Sequence, residues 1–329
     1  MKVCVLGGNG LVGSAVARKA VARGWKVVSV SRSGRPFATP AGHAPAWVHQ
    51  VEWRKGTPFD AASYASILPS CDALVSTLGI LLESEYKEQG VPKPLSVLRS
   101  IAQHAIGSRG NPLAERGERT YERMNRDSAI EAFRAFRSSQ PTSPLSSSPS
   151  PFVFISAEDI FRPFIPEGYI QSKRDAERTI AEETLAEADG RSGRAVRPVF
   201  VRPSLIYHPH LNPPSTLPAT LLEASANLQA LLPPSLRLSS LARTAARSPS
   251  SPSTLPPASS SLASLLTIPP IHADAVGEAV CRAIERPEVV GPLGVRQMRN
   301  LLDFDPIGND EAAEAEARGS GSGSGSTVQ

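Results

Sequence analysis

Cysteine and aromatic residues are scarce in this sequence. Its 329 residues include 3 cysteines, which lie far apart and never form a Cys-x-x-Cys pair. Such a set excludes a disulfide framework and a zinc site built from cysteines. Hydrophobic residues make up 40% of the chain and aromatic residues 5%. These shares are low for a globular domain, so we expect part of the chain to lie outside the core.

Long hydrophobic runs are also missing. A membrane-spanning helix needs about 20 consecutive apolar residues. The best candidate, residues 67–82, is interrupted by Pro69 and Asp72. We therefore expect a soluble protein.

Acidic residues are absent from the first 51 positions, which carry seven lysines and arginines. A basic start of this kind is typical of a phosphate-binding region or of a mitochondrial targeting signal. The net charge of +4 is too small to predict nucleic-acid binding. Arg18, Lys19 and Arg23 are expected to form the solvated face of a helix.

Short apolar segments alternate with helical patterns along the chain. They predict a first helix at 11–24 and strands at 2–6, 26–31, 51–53, 73–78, 152–156 and 199–202. Strands that alternate with helices predict an α/β fold, here a Rossmann-type doubly wound parallel sheet with helices on both faces. The first strand follows Met1 directly, so no cleavable presequence is recognisable.

Segments rich in proline and serine interrupt this alternation. We predict a nucleotide-binding domain at 1–208 with a Ser/Pro-rich surface insertion at 138–151. A small, variable substrate-side region at 209–300 follows, with a helix at 217–232. Residues 248–261 and the Gly-Ser tail at 309–329 have little apolar surface, so both are predicted to be disordered.

Three glycines lie between the first strand and the first helix. Gly7, Gly10 and Gly13 form the pattern GxxGxxG, a variant of the dinucleotide-binding fingerprint. Gly7 would allow a tight turn, Gly10 the approach of a pyrophosphate, and Gly13 close helix packing. The helix starting at Leu11 and Val12 would direct its free amides at the phosphates. The alternative is a purely structural turn.

The residue after the second predicted strand bears on the choice of cofactor. NAD-binding sites usually place Asp or Glu there to bind the adenosine ribose. This chain has Arg32 instead, whose guanidinium suits a 2′-phosphate. We therefore predict NADP, with NAD as the alternative, and a solvated surface arginine is the third interpretation.

Tyr169 and Lys173 are four positions apart on a predicted helix, so they share one face. A nearby ammonium lowers the pKa of a phenol and makes it usable for proton transfer. Ser156 ends the fifth predicted strand, where its hydroxyl could bind a substrate oxygen. On its own, the Tyr-x-x-x-Lys pair is more often a solvated helix face.

In this order, the motifs resemble the short-chain dehydrogenase/reductases, particularly their extended and atypical branches. Further matches are Asn125 within 124–128, the segments 201–203 and 271–276, and the run Ser76, Thr77, Leu78 and Gly79. The resemblance implies that Tyr169 is the general acid/base, Ser156 polarises the substrate carbonyl, and Lys173 contacts the nicotinamide ribose. It further implies that Asn125 supports Lys173 and that Thr77, Leu78 and Gly79 line the cofactor.

Segments 28–34, 78–83 and 165–177 resemble a narrower group, the fungal mitochondrial proteins of coenzyme Q (ubiquinone) biosynthesis. That group is similar to the nucleotide-binding accessory subunit of respiratory complex I. The resemblance implies a location on the matrix side of the mitochondrial inner membrane, with at most peripheral membrane association. It also implies partners among the proteins that synthesise ubiquinone.

Two functions fit these features. The first is an oxidoreductase that transfers hydride between NADP(H) and a quinone or isoprenoid precursor. The second is a non-catalytic nucleotide-binding scaffold or regulator, either of the ubiquinone-synthesising complex or of complex I. The enzyme requires the Tyr169 hydroxyl to face an open cleft beside Ser156.

Two further patterns concern a possible metal site and the recognition of adenine. His208 and His210 could form a metal pair, but no carboxylate or cysteine lies near them in sequence, so we favour a solvated loop. In many relatives the glycine after the third strand is followed by an Asp that contacts adenine. Here Thr57 follows Gly56, and Asp60, three positions later, is the acidic residue that could replace that Asp.

Overall fold

The computed structural model describes residues 1–80, 120–140, 149–160, 162, 165–189, 196–231, 255 and 258–303. Within them the strands are β1 Lys2–Leu6, β2 Lys26–Ser31, β3 Val51–Lys55, β4 Ala73–Ser76, β5 Ser150–Ile155, β6 Val196–Arg202, β7 Ile206–Tyr207, β8 Ile271–His272 and β9 Gly291–Gly294. The helices are α1 Leu11–Ala22, α2 Ser128–Ser139, α3 Glu167–Asp189, α4 Thr216–Leu231, α5 Ala258–Thr267, α6 Ala273–Glu285 and α7 Val295–Leu301. None of these helices is long and apolar enough to cross a bilayer.

Seven of the strands form one parallel sheet in the order β3-β2-β1-β4-β5-β6-β9. This is the doubly wound Rossmann order, so the predicted fold class is confirmed. Leu6 at the end of β1 lies beside Val30 of β2 and Ser76 of β4. The loops after these three strands therefore emerge at the same edge, which is where such sheets bind their ligands.

The sheet is buried on both faces. Along β1, Val3 and Val5 belong to the apolar cluster that includes residues of α1, α6 and α7, whereas Cys4 and Leu6 belong to the cluster with α2 and α3. Successive side chains of a strand point to opposite faces, so a continuous apolar run is what a strand covered on both sides requires.

Helices α1 and α6 cross at very close range. A Cβ on Gly277 would lie 2.7 Å from the carbonyl carbon of Ala15. Across this contact Arg18 forms an ion pair with Asp274, and Arg23 forms one with Glu278. The basic residues of α1 are thus paired with α6, which corrects the expectation of a merely solvated face.

The structure changes the bounds of the insertion predicted at 138–151. Helix α2 continues through Ser139, and Ser150 and Pro151 pair with β6 as the start of β5. The prediction from serine and proline content was therefore wrong at both ends of the insertion. Pairing with a neighbouring strand outweighs the weak strand propensity of these residues. Residues 141–148 lie outside the described residues.

The disorder predicted at 248–261 is wrong for its last four residues. Residues 258–261 begin α5, which packs against α4. Ser261 is buried, and its hydroxyl accepts a hydrogen bond from the Arg162 amide at 3.0 Å. A serine with a buried partner behaves as a core residue, and composition cannot detect this. The predicted helix at 217–232 is confirmed as α4, and the predicted tail at 309–329 lies outside the described residues.

The predicted domain boundary after residue 208 divides a single layered unit. Strand β9 pairs with β6, and α6 packs on α1, so residues 271–301 complete the nucleotide-binding layers. The sequence missed β9 because Gly-Pro-Leu-Gly has poor strand propensity.

Candidate functional site

The glycine loop connects β1 to α1 at the carboxyl edge of the sheet. Gly7 has a φ of +86°, a conformation that glycine adopts without strain. A Cβ on Gly13 would lie 2.7 Å from the Gly7 carbonyl carbon, so α1 can pack against the loop only with glycine there. Gly10 is exposed at the start of the helix. The roles expected for Gly7 and Gly13 agree with this geometry.

The start of α1 carries free backbone donors. Among the described residues, no acceptor is bound to the amides of Leu11, Val12 and Gly13, which precede the first intrahelical bond, from Ser14 to Gly10. Amides of this kind and the helix dipole together favour a phosphate group. The cradle of small residues before α1 therefore fits the pyrophosphate of a dinucleotide.

The loop after β4 borders this cradle. Thr77 is fixed to the end of β1, because its amide and its hydroxyl both donate to the Leu6 carbonyl, at 3.0 and 2.8 Å. A Cβ on Gly7 would lie 2.7 Å from the Thr77 hydroxyl and 3.2 Å from a Leu78 methyl. Thr77 and Leu78 thus lie beside the glycine loop, as the prediction requires.

Asn125 holds the end of the β4 loop in place. Its side-chain oxygen accepts from the Ile80 amide at 2.7 Å, and its Nδ2 donates to the Ile80 carbonyl at 3.0 Å and to the Ser172 hydroxyl at 3.3 Å. It is fully buried and lies in a π-helical turn, Glu122–Asp127, just before α2. Such turns are frequent at functional sites. These bonds hold Ile80 and reach Ser172, and none of them goes to Lys173, so the support of Lys173 by Asn125 stays a prediction.

Lys173 reaches the same position from α3. It is 4% exposed, and its ammonium donates to the carbonyls of Ile155 at 2.9 Å and Leu78 at 3.3 Å. A Cβ on Gly79 would lie 2.8 Å from both Lys173 Nζ and Asn125 Oδ1. The absence of a side chain at Gly79 is therefore what brings these two groups together. Burial lowers the pKa of Lys173 to about 7.

Tyr169 is half-buried at the start of α3, with its ring 6.0 Å from that of Tyr121 in an edge-to-face contact. Burial raises the pKa of Tyr169 to about 12, and the nearby cation that opposes this rise is Arg174. The sequence predicted that Lys173 would lower this pKa. In this structure the pKa is raised instead, and Lys173 does not act on it, because Lys173 Nζ donates to the carbonyls of Ile155 and Leu78.

Ser156 follows β5 and is 3% exposed. Its hydroxyl oxygen accepts from Arg174 Nη1 at 3.2 Å, and no hydrogen bond joins it to Tyr169 or Lys173. Arg174 is in turn bound to Glu177, which also pairs with Arg202 of β6. The sequence did not single out this charged cluster. A sequence signal for this cluster was present, because Arg174 and Glu177 are three positions apart on a helix, a spacing typical of an ion pair.

Arg32 lies just beyond β2, exposed, at the far end of the same edge. A hydrogen bond from Asn9 of the glycine loop to Ser33 ties this turn to the cradle at 3.3 Å. Arg35 is exposed nearby. The position suits contact with the adenosine end of a dinucleotide that lies across the edge.

The predicted solvated loop at His208 and His210 needs correction. Pairing of β7 with β8 brings His272 and Asp274 to His208, and one ligand atom of each lies within 4.8 Å of the others. Asp274, which is distant in sequence, thus supplies the carboxylate that the segment around His208 lacks. However, Nδ1 of both His208 and His272 accepts backbone amides, and Asp274 is paired with Arg18. These bonds engage one nitrogen of each histidine in capping and the carboxylate in an ion pair.

The structure therefore forms two neighbouring groups. One joins the glycine loop, the β4 loop, Asn125 and Lys173, and the other joins Ser156 to Arg174. Tyr169 stands on the helix that supplies both Lys173 and Arg174. Strand order and the glycine loop define a protein with a Rossmann-type nucleotide-binding fold.

Solved structures share this fold. One is an oxidoreductase of the short chain dehydrogenase/reductase family from Burkholderia thailandensis, with a TM-score of 0.50, 17% identity, and coverage of 96% of this chain and 97% of the other. A second is a 3-oxoacyl-[acyl-carrier protein] reductase from Brucella melitensis, with a TM-score of 0.50, 15% identity, and coverage of 89% and 94%. No protein-family model matches the sequence.

Two curated proteins are similar in sequence. MIOREX complex component 2 of Saccharomyces cerevisiae is 34% identical over 216 residues, which are 64% of this chain and 74% of the yeast protein. An uncharacterized chloroplastic protein of Arabidopsis thaliana is 45% identical over 78 residues, 24% of each chain. The chain belongs to the family of the yeast protein.

Proposed function

We propose that this protein binds NADP(H) across the carboxyl ends of β1, β2 and β4. The supporting observation is the glycine cradle, in which Gly13 leaves no room for a side chain and three helix amides have no acceptor among the described residues. Arg32 beyond β2 suits the 2′-phosphate that distinguishes NADP from NAD. Bound ligands of several solved proteins with related folds are NADPH or NAD.

The second part of the proposal is chemical. When bound, the nicotinamide supplies or accepts a hydride, which moves with its electron pair to or from the carbon of a substrate carbonyl. Ser156 donates a hydrogen bond to the substrate oxygen, and the Tyr169 hydroxyl gives that oxygen its proton. A phenol with a pKa of about 12 is protonated at neutral pH but is a weak proton donor, so this role requires a nearby positive charge such as that of Arg174 to lower the pKa.

The substrate class we propose is a quinone or isoprenoid precursor of ubiquinone, in a mitochondrial setting at the inner membrane among ubiquinone-synthesising proteins. The support is the resemblance of residues 28–34, 78–83 and 165–177 to that group. A chloroplastic relative is consistent with an organellar location.

A nucleotide-binding scaffold without turnover is the second candidate. The observation that favours it is the placement of Lys173, whose Nζ donates to two backbone carbonyls and forms no hydrogen bond with Tyr169 among the described residues. In that position Lys173 does little to activate Tyr169.

Cofactor choice is tested by titrating the purified protein with NADPH and NADH and following the fluorescence of each. We expect Arg32→Ala to weaken NADPH binding about tenfold and to leave NADH binding unchanged, since one charge-assisted contact is lost. Arg286→Ala, at another exposed arginine, is the matched control. Equal loss for both nucleotides would contradict the 2′-phosphate contact, and failure of the wild-type protein to bind either would overturn the proposal.

Turnover is tested in cells that lack the protein, by measuring ubiquinone content after expression of two variants. Gly10→Asp places a negative charge where the pyrophosphate approaches, and Tyr169→Phe removes only the phenolic proton. We expect neither variant to restore ubiquinone. Full rescue by Tyr169→Phe with no rescue by Gly10→Asp would support the scaffold instead.

A further inference from the structure

The charged cluster beside Ser156 has no role in the nucleotide cradle. It consists of Arg174 and Glu177 on α3 and Arg202 at the end of β6. Glu177 is 5% exposed and accepts from both arginines, with 2.8 Å to Arg174 Nη1 and 3.0 Å to Arg202 Nε. Buried ion pairs are weak sources of stability, because desolvation offsets their attraction. The cluster therefore calls for a role other than stability.

Arg174 is held by three acceptors. Its Nη1 donates to Glu177 and, at 3.2 Å, to the Ser156 hydroxyl oxygen, and its Nη2 donates to the Ala157 carbonyl at 2.8 Å. The last two acceptors belong to the segment that directly follows β5. The guanidinium thus ties the start of this segment to α3, with Glu177 fixing its orientation from the helix side.

The direction of the bond between Arg174 and Ser156 is fixed by chemistry. A guanidinium has donors only, so the Ser156 oxygen must accept. The hydroxyl hydrogen of Ser156 then points elsewhere, and no described residue accepts it. The bond from Arg174 uses one lone pair of the Ser156 oxygen and fixes the position of that oxygen, while the hydroxyl hydrogen stays available to a carbonyl oxygen.

The guanidinium also supplies the positive charge of this part of the site. Lys173 donates to the carbonyls after β4 and β5 and lies 4.6 Å from the ring of Phe154. Arg174 is the cation that lowers the pKa of Tyr169 against the effect of burial. Other charges act on Arg174 besides Glu177, namely those of Arg202, Glu158 and Asp159.

We propose that Arg174 is a positioning residue of the candidate active site: it occupies the Ser156 oxygen so that the Ser156 hydroxyl donates its hydrogen to the carbonyl oxygen of a quinone. This inference rests on the proposed function, since it assumes a carbonyl ligand beside Ser156.

A double-mutant cycle between Arg174 and Ser156 tests the proposal. The NADPH-loaded protein is titrated with a short-chain ubiquinone analogue to obtain Kd, and kcat and KM are measured for NADPH oxidation by that quinone. The proteins are wild type, Arg174→Gln, Ser156→Ala and the double variant. Arg178→Gln, one turn further along α3 and 55% exposed, is the matched control.

We expect Arg174→Gln to weaken quinone binding or kcat/KM at least about tenfold in the wild-type background, because a hydrogen bond from a charged group is lost. In the Ser156→Ala background the same substitution should change either value less than about twofold, since the two residues act as a unit. NADPH affinity and the Arg178→Gln control should stay unchanged. Arg174→Lys, which can still donate one bond to Ser156, should restore part of the loss.

The outcomes separate the inference from the proposed function. Equal losses in both backgrounds overturn the positioning role and leave the proposed function standing. A coupled loss in Kd without any NADPH oxidation supports the positioning role and overturns the proposed chemistry. No quinone binding to the NADPH-loaded wild type overturns both. If Arg174→Gln fails to fold, the cycle is run with Arg174→Met, which keeps the apolar stem of the side chain, removes every donor to Ser156 and leaves Arg202 as the partner of Glu177.

Discussion

At the scale of single residues, Asn125 anchors the segment after β4 through its side-chain amide. Asn125 is fully buried, and its amide binds both backbone groups of Ile80. A buried polar group left without its partner costs about 1–3 kcal/mol. Removal of the Asn125 amide would strand a donor and an acceptor at once.

We therefore expect Asn125→Ala to lower the free energy of unfolding by about 2–4 kcal/mol, as measured by urea denaturation. Asn9→Ala is the matched control, because Asn9 is only partly buried and forms one long side-chain hydrogen bond, to Ser33. The control should change stability by less than about 0.5 kcal/mol. Equal effects of the two substitutions would contradict the anchoring role of Asn125.

Most residues around the cradle could be predicted from sequence, because glycine patterns report backbone constraints directly. Gly7 needs its positive φ, and Gly13 and Gly79 each face an atom that a Cβ would strike. Interactions between side chains were harder to predict. The sequence paired Lys173 with Tyr169 from their spacing on a helix, but spacing does not reveal that the carbonyls after β4 and β5 bind the ammonium first.

At the scale of elements, the contact between α1 and α6 combines close backbone approach with ion pairs. The guanidinium of Arg23 lowers the pKa of Glu278 from 4.5 to about 2, mainly through a hydrogen bond. A carboxyl with a lowered pKa in the folded protein stabilises it above the ordinary value of 4.5. That stabilisation falls as the pH drops towards 2 and is lost below it.

We expect Glu278→Gln to lower the free energy of unfolding by about 1 kcal/mol at pH 7, because its carboxylate is largely shielded between two helices. The difference from wild type should shrink as the pH falls from about 4.5 to about 2. Denaturation at several pH values measures this. Glu182→Gln, whose side chain is 68% exposed, serves as control, and a loss independent of pH would contradict the ion pair.

The six leading strands could be located from sequence, since buried parallel strands are continuous apolar runs. β9 could not, because Gly291 and Pro292 are poor strand formers, and the edge of β6 imposes the pairing. Helix α5 was missed for a related reason. Its serine hydroxyls find hydrogen-bond partners only in the folded protein, as the bond from the Arg162 amide to Ser261 illustrates.

At the scale of the whole molecule, the sheet is completed by the end of the chain. We expect a fragment of residues 1–208 to lack a cooperative unfolding transition, because Val16 and Ala20 of α1 would lose the cover of α6. Fragment 1–308, which omits the predicted tail, is the control and should unfold like the full chain. Circular dichroism during thermal denaturation compares the two, and cooperative unfolding of 1–208 would restore the boundary predicted from sequence.

The crossing of α1 and α6 also has a consequence for biosynthesis. Arg23 directly follows the first helix and Glu278 lies in α6, 255 positions further along the chain, yet their side chains form a hydrogen bond. Residues 273–285 must therefore leave the ribosome before the first helix can find its cover. Contacts so distant in sequence slow folding. Until then the nascent chain exposes the apolar surface of the first helix, so a chaperone that shields it has a long interval in which to act.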